Sequence, residues 1–82
     1  MGGFVEDRKR RLVAVAKILS KELEQNNKAD YEDIIFKVQM ETGVTDHKAR
    51  EYLTLVVRSN NLETVKEETK TGRRYWILPK KV

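Results

Sequence analysis

His47, Lys48, Arg50, Glu51 and Thr54 stand close together in one stretch, and every one of these side chains can donate or accept a hydrogen bond. Spaced this way on a helix they occupy one face, while Ala49, Leu53, Val56 and Asn60 fall on the other at i, i+4, i+7 and i+11. Tyr52 and Val57 lie beside that apolar stripe. A helix of this kind suits the edges of base pairs. Arginine or lysine donates to guanine O6 and N7, Glu51 can accept from a cytosine amino group, and Thr54 can touch a thymine methyl. The same side chains also suit a solvated face held by ion pairs three or four residues apart, Lys48 with Glu51 among them. Asp46 and Glu51 weigh against a polyanionic partner unless a base amine or a nearby cation meets them.

A second group, Lys66, Lys70, Arg73 and Arg74, surrounds the segment Thr69-Lys70-Thr71-Gly72-Arg73. Guanidinium and ammonium groups there can sit on phosphates or in a narrow minor groove; the alternative is an ordinary soluble hairpin tip. The run Arg8-Lys9-Arg10-Arg11 divides in the same way, into a solvated helix turn or a phosphate contact along DNA. Chemistry of other kinds finds little support. Ser20 and Ser59 have no histidine base at a workable spacing, the carboxylates follow helical charge patterns, and no glycine loop suits a phosphate, so no enzyme activity is expected. With no cysteine and one histidine, neither a disulfide, a metal site nor a cofactor is expected. His47 reads as a surface residue, and Tyr75 and Trp76 as packing groups.

These groups need a scaffold. From about Glu6 to Gln25, Leu12, Val15, Leu19 and Leu23 form a helical stripe broadened by Ala16 and Ile18, and Asn26-Asn27 ends it. Met1 to Val5, with two glycines, reads as a disordered terminus. Lys28-Ala29 is a very short strand or a loop. Asp30 caps a second helix, Tyr31 to Thr42, with Ile34, Ile35 and Val38 inward, and Met40 or the stem of Glu41 near them. Ile35 and Phe36 exceed one narrow stripe, which leaves an apolar residue for a partner surface. Gly43 ends this helix by reaching positive φ without a Cβ clash. Thr45 caps the third helix, which runs to about Ser59 and stops at Asn60-Asn61; its amide end could also hold a phosphate. Leu55 lies off the stripe and either packs on a strand or meets a partner.

From Leu62 the period falls to two. A weak strand leads into the Thr69–Arg73 loop, with Gly72 at its positive-φ position. The strand Arg74-Tyr75-Trp76-Ile77-Leu78 returns, with Tyr75 and Ile77 on one face and Arg74, Trp76 and Leu78 on the other. Pro79 ends it, and Lys80-Lys81-Val82 forms a basic tail. The 82 residues make one small domain, residues 1–82, of α+β class. Its net charge of +4 is uneven: residues 1–30 carry seven basic against five acidic groups, 31–61 four against five, and 62–82 six against three. No apolar run approaches a membrane span and no signal peptide is evident, so a cytoplasmic, nucleoid-associated protein without membrane contact is expected.

The order helix, helix, turn, helix, hairpin resembles the winged helix-turn-helix family. TGVTDHKAREYLTLVV is similar to that family's turn and recognition helix, and NNLETVKEETKTGRRYWILP to its wing. The family usually has glycine where this chain has Asn60 or Asn61. The likeness covers about residues 10–79 and is greatest to small archaeal and archaeal-virus regulators. It implies three helices followed by a two-stranded wing, with or without a short extra strand. It also implies binding of double-stranded DNA, with the third helix in the major groove and the wing on the backbone or minor groove. Many members of the family are homodimeric transcription regulators, and here the first helix, with Val5 and Val13 off its stripe, is the expected dimer element. The site so implied comprises Thr45, His47, Lys48, Arg50, Glu51, Thr54, Lys66, Lys70, Arg73 and Arg74. Two other roles fit the sequence: a protein-interaction adaptor in a replication or transcription complex, and a nonspecific nucleoid-type DNA binder.

Overall fold

Left-handed residues and side-chain caps punctuate the chain. The computed structural model describes residues 3–80. Helix α1 (Gly3–Asn26) ends where Asn27 takes φ 62°, and a two-residue strand β1 (Ala29–Asp30) follows. Asp30 then accepts from the amides of Glu32 and Asp33 and starts α2 (Tyr31–Thr42). Gly43, at φ 72°, donates its amide to the Gln39 carbonyl at 2.8 Å and closes α2. Thr45 accepts from the Lys48 amide at 3.3 Å and opens α3 (Asp46–Ser59). Asn60 caps α3 through backbone and side-chain bonds to the Val56 carbonyl, and Asn61 turns at φ 55° into β2 (Leu62–Thr69). Strand β3 (Gly72–Pro79) completes an antiparallel sheet of order β1-β3-β2.

Side chains from all three helices and all three strands meet in one core. Val15 and Leu19 of α1 join Ile34, Ile35 and Val38 of α2, Leu53 and its neighbours on α3, and Ile77 of β3. Ile77 is paired with Ala29 on one side and Thr64 on the other, so the central strand delivers its apolar residue beneath the helices. The arrangement is the expected α+β one, three helices and a two-stranded wing, with β1 as a short extra strand, and it is compatible with a winged helix.

Four local expectations change. Gly3–Val5, read as disordered, lies within α1, because a helix already formed gains one hydrogen bond for each residue it adds. Met1, Gly2, Lys81 and Val82 lie outside the described residues. The hairpin is tighter than a loop of 69–73, since Thr69 pairs with Gly72 and only Lys70 and Thr71 span the tip. The Thr69 hydroxyl donates to the Gly72 carbonyl at 2.8 Å, and Gly72 adopts φ 140° to close the ladder there. Leu55 borders a crevice with Leu12, Val13 and Ala16, so it turns toward α1 and not toward a strand. Met40 does not face inward. It shares with Phe36 the arc of α2 opposite Ile34 and Val38, and the two are 73% and 60% exposed.

Candidate nucleic-acid interface

The side chains expected to read bases stand on the exposed side of α3, while Ala49, Tyr52, Leu53, Val56 and Val57 hold the other side in the core. A hollow between this helix and the wing is lined by Tyr31, Glu32, Arg50, Thr54, Thr64 and Tyr75. Tyr31 and Tyr75 meet edge to face with ring centroids 6.5 Å apart, and the Arg50 guanidinium lies 5.7 Å from the Tyr31 ring centre. Helix α3 and the inner face of the wing therefore border one groove.

Arg50 is the fixed point of that groove. Its two terminal nitrogens donate to the two Glu32 carboxylate oxygens, each at 2.8 Å, and its Nε donates to Asp46 Oδ2 at 2.8 Å. The Asp46 contact is an i,i+4 pair within α3, whereas Glu32 reaches across from the first turn of α2. Two-pronged carboxylate–guanidinium contacts fix orientation as well as charge. The Arg50 hydrogen bonds hold the Glu32 and Asp46 carboxyls below their ordinary values, and the two carboxylates raise the already high value of Arg50. Thr54 donates its hydroxyl to the Arg50 carbonyl at 2.9 Å. Lys48 and Glu51 pair at 3.4 Å, so these two side chains make the ion pair that the alternative reading of the face allowed. His47 is exposed, and Thr45 acts as the cap.

The wing separates its four cations. Register places Lys66 opposite Tyr75 and Glu68 opposite Arg73, so Lys66 and Arg73 share the sheet face of Tyr75 that borders the groove. Lys66 lies 3.4 Å from Glu68 on that same face. Lys70 stands at the tip, and among the described residues neither Lys70 nor Arg73 enters an ion pair. Arg74 does not join them. It occupies the reverse face, where its Nε is 3.2 Å from Asp30 and its guanidinium 5.4 Å from the Trp76 ring centre. Alternation along an extended strand makes this separation unavoidable, since neighbouring residues face opposite sides. Lys28 covers the same indole at 4.1 Å.

Sequence spacing gave no sign of Tyr31, Glu32 and Tyr75 as groove residues. Asp46 four residues before Arg50 was a visible pairing, but Glu32 is eighteen positions from Arg50, and only the packing of α2 on α3 brings them together. The clamp has a pH consequence. Both carboxylates are more acidic in the folded chain than in the unfolded one, so their contribution is complete above the ordinary values of 4.5 and 3.8 and disappears as pH falls through the lowered ones. Urea midpoints should hold steady near neutrality and decline on acidification below about pH 4.5, with a smaller decline in Arg50→Ala.

No protein-family model matches the chain, and neither does any curated protein or solved structure. Among the described residues no group of carboxylates and histidine has metal-ligand geometry, and no helix is long and apolar enough to cross a membrane.

Proposed function

We propose that the chain binds double-stranded DNA in a sequence-dependent way, as a winged-helix transcription regulator, with α3 in the major groove and the β2–β3 wing against the backbone. The observation that carries this reading is the shared groove: Arg50 and Thr54 of α3 line it, and the wing face bearing Lys66 and Arg73 continues from it. A helix in the major groove would bring the wing onto neighbouring phosphates on the same side of the duplex. Arg50 and Thr54 then supply base contacts, and Lys66, Lys70 and Arg73 supply position.

The carboxylates around Arg50 do not forbid this. Solvent screens exposed ion pairs, whereas a good two-pronged guanine contact discriminates by about 1–3 kcal/mol, so a matching base displaces the clamp more readily than a mismatched one.

Selection from a random duplex pool, followed by a salt titration of the enriched sequence, tests the proposal. Three phosphate contacts per copy should give a slope of log affinity against log salt of about −3 for each copy bound, and selection should converge on a motif. Two inverted half-sites would support a homodimer; a single asymmetric site would put one copy on the duplex. Enrichment of no motif with a steep salt slope would favour the nonspecific binder, and a flat response would remove DNA from the reading.

A further inference from the structure

On the outer side of α1 and α2 the surface is of another kind. Val13, Phe36 and Met40 are 48%, 60% and 73% exposed, which is high for large apolar side chains on so small a fold. They are not scattered. One hollow runs along α1 beside Val13, Ala14 and Ile18, and a second lies between Ile18 of α1 and Phe36 and Met40 of α2. Ile18 and Glu41 belong to both, so the two hollows form one continuous groove along the α1–α2 pair.

The rim of this groove is cationic. Lys9, Arg10 and Lys17 border one end, and Lys21 and Lys37 the other. Against these five stand Glu22 and Glu41, and Lys37 is bound both by Glu22 and, at 3.2 Å, by Asp33, so the net is +2 and is carried by Lys9, Arg10, Lys17 and Lys21. A second copy docking here would bring an equal positive rim against the first, which costs interaction energy unless acidic groups intervene. The complement is a segment that is apolar along one side and acidic along the other.

We infer that the α1–α2 face is a docking groove for an acidic amphipathic helix of a partner protein. The partner's apolar residues, spaced i, i+3, i+4 and i+7, would lie over Val13, Ile18, Phe36 and Met40, and its carboxylates would meet Lys9, Arg10, Lys17 and Lys21. The apolar contacts supply most of the affinity, and the charges select the sign of the partner and its orientation. This groove shares no lining residue with the hollow between α3 and the wing, so the inference is independent of DNA binding.

The test uses the full chain and a synthetic helical peptide of about 18 residues, with leucines at the stated spacing and glutamates elsewhere. Comparison peptides carry lysine in place of glutamate, or the same composition with the leucines scrambled. Amide chemical shifts followed by NMR should move saturably at Val13, Ile18, Phe36 and Met40 with the acidic peptide, and hardly at all with either control. Phe36→Ser and Met40→Ser should each weaken binding on the order of tenfold while leaving the thermal melt unchanged. Equal binding of the lysine peptide, shifts confined to the wing, or no binding at millimolar peptide would each overturn the inference. Two results would assign the groove to a different occupant and reject this one. The first is a dimer in sedimentation that Phe36→Ser dissolves; the second is recruitment to phosphatidylserine vesicles through the same residues.

Discussion

Leu53→Ala lowers the stability of the folded chain by about 3 kcal/mol, within the roughly 2–5 kcal/mol found for leucine truncation in closed cores. Leu53 is completely inaccessible and sits at the centre of the buried face of α3, the helix that packs on α1, α2 and β2. Removing its isobutyl group withdraws apolar surface from the core and leaves a cavity that neighbouring helices fill only in part. Proteins of this length have roughly 4–12 kcal/mol in all, so the loss is a large share of the total. A domain of this size loses about 4–8 °C of melting temperature per kcal/mol, which gives a fall of roughly 12–24 °C. The urea midpoint should drop with an unchanged slope, the mark of altered stability and not of a changed unfolded state. Met40→Ala on the exposed arc of α2 is the control and should stay within about 0.5 kcal/mol of the parent. A Leu53→Ala melt as high as that of the control would mean that α3 is not seated on the core as described.

Much of this architecture was legible because its signals are local. Asp30, Gly43, Thr45 and Asn60 act within four residues of themselves, by capping a helix or turning the chain, so a reader of the sequence sees both the residue and its consequence. The stripe of Val15 and Leu19, and that of Ala49, Leu53 and Val56, fix which side of each helix is buried. What the sequence hid depends on distance along the chain. Glu32 meets Arg50 only after α2 has packed on α3, and Arg74 meets Asp30 only after β1 has paired with β3. The direction taken by Leu55 likewise depends on where α1 lies, and the length of the hairpin tip depends on the register that pairs Thr69 with Gly72. The exposed side of α3 was therefore legible as a candidate surface, but three things were not: that Arg74 turns to the reverse face of the wing, that Tyr31, Glu32 and Tyr75 line the groove, and which cations a carboxylate already meets. Lys48, Arg50, Lys66 and Arg74 each stand beside a carboxylate, and their net field is much weaker than their number suggests.

That charge state makes Arg50→Ala the most telling substitution for DNA binding. Two losses coincide in it. The guanidinium that would face guanine is gone, at about 1–3 kcal/mol for a two-pronged contact. Glu32 and Asp46, now without their shared cation, present two uncompensated carboxylates at the mouth of the groove. Affinity for the selected duplex should fall by about 10- to 100-fold, and its advantage over unrelated duplexes should shrink. Stability should change little, because both carboxylate partners of Arg50 are exposed and solvent screens such pairs. Arg73→Ala should behave differently. It would remove one of the proposed phosphate contacts, so all duplexes should weaken together and the salt slope should become shallower by about 0.9. Glu32→Gln separates the two parts of the Arg50 effect: it keeps the guanidinium, removes one carboxylate from the groove, and should strengthen binding to every duplex. If Arg50→Ala binds selected and unrelated duplexes as the parent does, Arg50 serves only to join α2 to α3, and the base-reading role passes to another residue of the helix.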